Sequence, residues 1–267
     1  MSSAKFSFTV SIEGIPFKID WNPKIDGVLL DMRESGVDRK KVHMATVEVE
    51  CEPQMRRILA VERIDKALSK IAFALGHSIK RGNEEYETIL EPKFDKPRYG
   101  WGWHKQVRRG VIFRPVARFY AVVDYQTILE TALAKINNVK PEKRIILTIA
   151  LALYREALGI ESPNIALIVF FSSITAIVRD TKSNHVLTSD LKKALQVVAK
   201  MEDDKFSQYF EELYGNAYGR SATDHGRVDI TDPLVVGNAT MYVNTMRYWT
   251  KSIIQNYIDA NQTAPSS

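Results

Sequence analysis

From Pro141 onward, apolar residues recur every three to four positions, and the stretch reads as helical throughout. Start signals divide it. Pro141-Glu142 opens a helix to about Leu158, with proline in the first turn, where its missing N–H costs nothing, and Gly159 placed to end it. Ser162-Pro163 opens an apolar helix ending near Arg179, with Ser162 as the cap. Thr188 or Ser189 caps the next, which turns Leu191, Leu195 and Val198 inward. Another starts near Asp203 and carries Phe206, Phe210, Leu213 and Tyr214. Asp232-Pro233 starts the last, lined on one side by Tyr242, Met246, Trp249, Ile253 and Tyr257. A chain patterned this way buries its stripes by packing helix on helix.

The first half is patterned differently. Phe6, Phe8, Val10 and Ile12 alternate as in a half-buried strand, Glu13-Gly14 offers a turn, and Ile15 to Trp21 alternates again, which predicts a hairpin. Val42 to Cys51 reads as a strand through Val47 and Val49, with Cys51 as a small buried hydrophobe. From Gln54 to Lys80 the period becomes helical, with Ile58, Ile64, Leu68, Ile71 and Leu75 on one face. Strand-like runs return at Tyr86 to Leu90 and Val111 to Tyr125, around an irregular segment with Pro97, Gly100, Gly102 and Gly110. The fold class expected is α+β: a strand-rich domain over residues 1–135, then an all-helical bundle over 136–267. The boundary falls between Thr127 and Lys140, and no internal repeat is visible.

The single cysteine rules out a disulfide framework within the chain and fits a reducing compartment. The start of the chain lacks the unbroken apolar block of a signal peptide. Ile165 to Val178 is shorter than the roughly 20 residues of a membrane span and is interrupted by Ser172, Ser173 and Thr175, so it reads as a core helix. The expectation is a cytoplasmic protein without a membrane partner. Charge is uneven: residues 1–140 hold 24 Lys and Arg against 18 Asp and Glu, and residues 141–267 hold 13 against 14. A basic first half can attract a polyanion such as nucleic acid, or be no more than a solvated surface.

Several chemistries lack their motifs. There is no G-x-x-x-x-G-K-[ST] phosphate loop, no G-x-S-x-G elbow and no H-E-x-x-H. One cysteine and five scattered histidines (His43, His77, His104, His185, His225) give no local zinc pattern, and no metal or other cofactor is expected. Glu202, Asp203 and Asp204 cluster where they complement a helix N-terminus.

The segment from Tyr214 to Gly226 stands out because apolar periodicity stops there, and Arg220, Ser221, Asp224 and His225 gather among glycines. Metal-free RNA cleavage needs a base for the ribose 2′-OH, an acid for the departing 5′-oxygen, and a cation for charge building on the phosphate. Histidine titrates near neutrality and suits the first two roles; arginine, a permanently charged planar fork, suits the third. DNA lacks the 2′-OH, so such a site favours RNA.

The four residues between Arg220 and His225 match the Arg-x4–6-His motif of HEPN domains (higher eukaryote and prokaryote nucleotide-binding), and the His225-Gly226 step resembles those domains too. The run Ala152 to Ala157, then Ser162-Pro163 and the apolar helix to Val178, is similar to the family's first two helices. The likeness covers about residues 141–259 and rests mostly on helix order and on the motif's place before the last helix. The resemblance implies a helical bundle that dimerises through the C-terminal helices. Many members are metal-independent endoribonucleases of toxin–antitoxin, phage-defence or RNA-processing systems, with Arg220 and His225 then catalytic and Ser221 and Asp224 in support. Ser221 departs from the pattern, in which Asn, Asp or His often follows the arginine. Five positions at 3.6 residues per turn separate two side chains by about 140°. Either Gly219 and Gly226 interrupt the helix, or a two-fold partner supplies the neighbour. The alternative is structural: Arg220 pairs with Asp224, and His225 caps a helix.

A second constellation runs from Lys93 to Arg118. Arg98, Lys105, Arg108 and Arg109 sit there among Trp101, Trp103 and His104, the mixture of cations and aromatics that holds single-stranded nucleic acid. The alternative is a basic surface segment whose tryptophans pack on the domain. Arg56-Arg57 and the Arg39 to Lys41 run read as plain surface. Two readings follow: an RNA-cleaving enzyme held in check or triggered by a protein partner or its own first half, or a non-catalytic module for dimerisation and nucleic-acid or nucleotide binding.

Overall fold

The computed structural model describes residues 3–12, 23–31, 43–90, 125–180, 186–215, 229 and 231–263. The architecture is α+β, and the chain divides into two units: residues 1–68 with 79–126, and residues 69–78 with 127–267. The 135/136 boundary expected from the sequence falls inside a helix, α2 (Tyr125–Asn137).

The first unit is built on an antiparallel sheet of β1 (Ser3–Ile12), β2 (Lys24–Ile25), β3 (Val28–Asp31), β4 (His43–Glu50) and β5 (Ile79–Leu90), in the order β2-β3-β4-β1-β5. Alternation sets its faces. Ala4, Phe6, Phe8 and Val10 of β1 are buried, and the register puts Phe6 opposite Val47, Phe8 opposite Ala45 and Val10 opposite His43, all buried as well. The turn between β2 and β3 is Asp26-Gly27, with both φ angles positive (51° and 83°), the two-residue hairpin geometry that matches strand twist. The register between β1 and β5 shifts between Phe8 and Val10. There Gly82 lies so close to Thr9 that a Cβ on it would collide with the threonine hydroxyl.

Helix α1 (Pro53–Leu75) buries Ala60, Ile64, Ala67 and Leu68, and is tied to the sheet by Arg63 donating to the Glu48 carbonyl and by the Arg81–Asp65 ion pair at 3.4 Å. Three sequence expectations fail here. Ile58, read from the sequence as part of the buried face, stands about 120° round the helix from Ile64 and is 58% exposed. Arg56, expected at the surface, is only 4% exposed, and its Nε donates to the Cys51 carbonyl at 3.2 Å. Cys51 itself is half-buried rather than buried. The second hairpin strand (15–21) and the Arg39 to Lys41 run lie outside the described residues, as does the strand expected over Val111 to Tyr125 except for Tyr125 itself, which starts α2.

The second unit is helical: α2, a 3-10 turn at Pro141–Lys143, α3 (Arg144–Gly159), α4 (Pro163–Asp180), α5 (Thr188–Ala199), α6 (Asp203–Phe210), a π-helical turn at Glu211–Gly215, and α7 (Pro233–Ala260). α4 sits among α3, α5 and α7. By length and composition it is the one helix among the described residues that could cross a membrane, but half of it is buried in this core. There Phe170, Phe171 and Ile174 pack, and Ser173 donates to the Ala150 carbonyl at 2.8 Å. The cap of α5 differs from expectation: Leu187 is the N-cap, and the Asp190 carboxylate accepts its N–H.

The last turns of α1 belong to this helical unit. Phe73 packs edge-on against Tyr154 at 5.9 Å, and Gly76, at φ +70°, ends the helix in the left-handed conformation. Arg247 and Lys251 of α7 donate to the Gly76 and Ala74 carbonyls, placing positive charge at the negative end of α1. Burial, then the neighbouring Arg247, holds the Lys251 ammonium below its ordinary value. Burial pushes the Tyr154 hydroxyl up to about 12.

At the far end of α7, Tyr257 donates to Asp180 at 2.8 Å, and Lys143 reaches the same carboxylate oxygen at 2.9 Å. Burial raises the Asp180 carboxyl, but the two donors more than offset it, so its pKa lies below the ordinary 3.8. A group depressed by folding stabilises the fold above its unfolded pKa, and that contribution disappears as pH falls through the folded value. Asp180→Asn is therefore expected to destabilise the protein near pH 7, with the difference from the parent shrinking as the pH falls below the ordinary carboxylate value, where the parent loses the same charge. Urea denaturation across that range measures it; a penalty that does not change with pH would contradict the assignment.

Candidate functional site

The four residues singled out by sequence, Arg220, Ser221, Asp224 and His225, lie outside the described residues, as do Arg98, Trp101, Trp103, His104, Lys105, Arg108 and Arg109. The structure defines the two ends of the connection that carries the Arg220/His225 pair.

The incoming end is the π-helical turn after α6. Its predecessor is only eight residues long, too short to persist without tertiary support. Phe206 and Phe210 are buried, Leu213 continues that side, and Tyr214 stacks on Phe210 (centroids 5.2 Å apart, planes 11° apart) while meeting Phe171 edge-on at 5.3 Å. On the other side Glu212 is held by α7. Tyr242 donates its hydroxyl to the Glu212 carboxylate, Asn238 Nδ2 donates to the Glu212 carbonyl at 3.3 Å, and Gln208 Nε2 reaches the carboxylate at 3.4 Å. Tyr209 packs edge-on against Tyr242 at 4.8 Å and tilts against Trp249 at 5.3 Å. Burial, then the bond and charge of Glu212, pushes the Tyr242 hydroxyl up to about 12, so it remains a donor across the working range of pH.

The outgoing end is a chain of local caps. Asp229 Oδ1 accepts the Thr231 N–H at 2.8 Å and its hydroxyl at 2.7 Å, and these two bonds, the backbone one first, hold its carboxyl below the usual range. Asp232 then caps α7, accepting the Leu234 N–H at 2.8 Å, with Pro233 in the first turn as the sequence predicts. Asn238 and Tyr242 lie about one and two turns beyond Leu234, roughly 6 and 12 Å along the helix axis. The connection that holds Arg220 and His225 therefore leaves from, and returns to, the first three turns of one helix.

The described rim is acidic. Glu211, Glu212, Asp229 and Asp232 line the two ends, and no lysine or arginine occurs from 206 to 219. The Lys192 ammonium lies over the Phe210 ring, 5.9 Å from its centroid, and the sequence adds Arg220 and Arg227 within the connection. No group of three or more His, Cys, Asp or Glu side chains among the described residues could hold a metal ion. The acidic run behaves as helix-start charge: Asp203 and Asp204 occupy the first turn of α6, and Glu202 pairs with Lys205 at 2.7 Å.

Glu212, Asn238 and Tyr242 were not among the residues selected by sequence. The available signal was Asn238 one turn before Tyr242 on a helix otherwise patterned for burial. Neither a protein-family model, nor a curated protein, nor a solved structure matches the chain.

The Asp232 cap fixes where the connection rejoins α7. Asp232→Ala is expected to cost about 1 kcal/mol of stability, seen as a lower urea midpoint with unchanged slope, and Asp232→Asn is expected to recover most of it. Equal loss in both variants would show that the carboxylate does something other than cap.

Proposed function

We propose that the chain is a metal-independent endoribonuclease of the HEPN type. Arg220 stabilises charge on the scissile phosphate, and His225 transfers protons between the 2′-hydroxyl, the phosphate and the leaving 5′-oxygen. The bond to the 5′-oxygen breaks as the 2′-oxygen attacks, leaving a 2′,3′-cyclic phosphate; Ser221 and Asp224 support the pair. The observation that carries the reading is the position of the Arg-x4-His pair: it lies in a helix-to-helix connection whose two ends are both anchored on the first turns of the last helix. Such anchoring suits a site that must hold two side chains in register without a metal.

The active form in this reading is a homodimer in which motifs from two copies face one cleft. Leu234, Met241 and Tyr248 of α7 are 61%, 69% and 65% exposed and seven residues apart, so they drift only about 20° per step around the helix. No charged residue interrupts α7 from Pro233 to Met246. A second copy on this stripe supplies a second Arg220 and His225 and offsets the acidic rim. The basic segment with Arg98, Trp101, Trp103, His104, Lys105, Arg108 and Arg109 grips the RNA strand, and an inhibitory or activating protein partner restrains cutting in a cytoplasmic phage-defence, toxin–antitoxin or RNA-processing role.

A second reading has its own support. The carboxylates Glu211, Glu212, Asp229 and Asp232 disfavour phosphate near the connection, and Ser221 departs from the motif, as expected of a non-catalytic dimerisation and nucleotide-binding module.

The two readings separate on one assay. Purified protein in EDTA is expected to cleave a structured RNA but not DNA of the same sequence, and His225→Ala or Arg220→Ala to lower the rate by about 100-fold or more. RNA binding without cleavage would support the module instead. Met241→Asp is expected to convert the dimer to a monomer by light scattering and to remove cleavage with it; an unchanged mass would exclude this face as the dimer contact.

A further inference from the structure

We infer that the outer face of α3 is a self-association surface, on which α3 of a second copy packs in the antiparallel direction. This contact is separate from the α7 stripe and does not rest on the ribonuclease reading.

α3 buries Leu147, Ala150, Leu151, Tyr154 and Ala157 against the helical core. Its opposite side carries Ile145, Ile149, Ala152 and Glu156, spaced four, three and four residues apart. At 3.6 residues per turn these four lie within an arc of about 60°, the narrow seam by which two helices pair. Ile145 is 72% and Ile149 45% exposed, and Ala152 and Glu156 are exposed as well. Ile149 stands out as a knob, and Ala152 leaves a gap beside it.

The charges on α3 select the occupant of this seam. A helix is stabilised by acids in its first turn and cations in its last, and α3 has neither. Arg144 begins it and Glu156 lies in its last turn; Lys140 and Glu161 extend the same polarity beyond the two ends, opposed at the start by Glu142. Arg155, beside Glu156, already has a partner, whereas the Glu156 side chain makes no hydrogen bond or ion pair among the described residues. A polarity that works against its own helix dipole is neutralised by a second α3 running the other way. With a two-fold axis between Ile149 and Ala152, Ile149 of each copy faces Ala152 of the other. Ile145 then lies along the methylenes of the opposing Glu156, and Arg144 comes level with its carboxylate. Parallel pairing would set like charges side by side at both ends, so charge selects the antiparallel direction.

α3 has 16 residues against 28 in α7, so the seam is small and the association weaker than that through α7. Dilute protein lacks it; concentrated protein uses it to join α7 dimers into larger assemblies.

The test follows the full-length protein by sedimentation over a dilution series, with Met241→Asp setting the α7 contact aside. In Met241→Asp the weight-average mass is expected to rise by up to about two-fold from dilute to concentrated protein, the limit for one isologous contact. Adding Ile145→Asp is expected to remove the rise. Glu156→Arg separates association from folding. It suits the dipole of its own helix, so the melting temperature is expected to hold or increase. It also sets a cation against Arg144 of the second copy, so association is expected to weaken about 10-fold. For the geometry, chains carrying Ile149→Cys and Ala152→Cys, both with Cys51→Ser, are mixed and oxidised. Facing Cα atoms of helices about 8–10 Å apart come within disulfide reach, so the mixture is expected to cross-link faster than either chain alone. Val197→Cys, at a 72% exposed position of α5, sets the collisional background. A mass independent of concentration in Met241→Asp overturns the inference, as does a rise that Ile145→Asp and Glu156→Arg leave unchanged. Cross-linking fastest between like chains overturns the antiparallel register. If dilute Met241→Asp keeps the parent's mass, the α7 reading fails, and Ile145→Asp still decides the role of α3.

Discussion

The packing of α7 against α4 is the interaction on which the helical unit depends. At about 1.5 Å per residue, α7 is roughly 42 Å long, and it presents Ala239, Tyr242, Met246, Trp249, Ile253, Tyr257 and neighbours to the core along nearly its whole length. α4 supplies Leu167, Phe170, Phe171, Ile174 and Ile177 to the same core. With this surface formed, shorter elements that could not persist alone acquire a support: α6, the π-helical turn and the last turns of α1. Polar groups on α7 then act as fasteners at separate levels. Tyr242 and Asn238 hold the turn before the motif, Arg247 and Lys251 hold the end of α1, and Tyr257 holds the end of α4 through Asp180. Two of these are tyrosine-to-carboxylate bonds fifteen residues apart, in which a mostly buried ring sends its hydroxyl to an acid on another element.

Much of this is legible in the sequence because local rules suffice for it. Proline and aspartate start signals locate α3, α4 and α7, and period-two alternation locates β1 and β4. Where local rules run short, the reading fails for identifiable reasons. The β2–β3 hairpin turns on Asp26-Gly27, a strong turn signal, but its strands of two and four residues are too short to show a period. α2 occupies the stretch in which the sequence places the domain boundary, although Leu129 and Ile136 already stand at helical spacing and are both buried. Ile58 reads as part of the stripe, but six positions from Ile64 turn it about 120° away from the buried side. Arg56 reads as surface charge because composition cannot anticipate a guanidinium folded back onto the carbonyl of Cys51.

The candidate site divides along the same line. Its chemistry-bearing pair, Arg220 and His225, is a sequence feature and a matter of spacing. Its supports, Glu212, Asn238 and Tyr242, are pairings between elements some thirty residues apart, and Tyr242 was visible beforehand only as another member of an apolar stripe. A hydroxyl on a buried ring leaves no periodic trace, and its partner is identified only when two helices are seen side by side. The charge pattern has a similar limit: the total predicts a near-neutral second half, while the arrangement concentrates carboxylates at both ends of one connection.

The passage of Ser69–Ser78 into the helical unit has a bearing on the order in which the chain acquires its structure. These residues are made early, yet the cations that meet the carbonyls of Ala74 and Gly76 lie more than 170 positions later in the chain. During synthesis the end of α1 emerges with its carbonyls facing water and with Phe73 lacking Tyr154 as a neighbour. The ribosome must add 171 residues after Gly76 before Arg247 arrives, and Lys251 follows it. A helical domain that looks like a C-terminal module is thus topologically discontinuous, completed by a fragment translated before the rest of it, and its assembly is a late, long-range event rather than a sequential one.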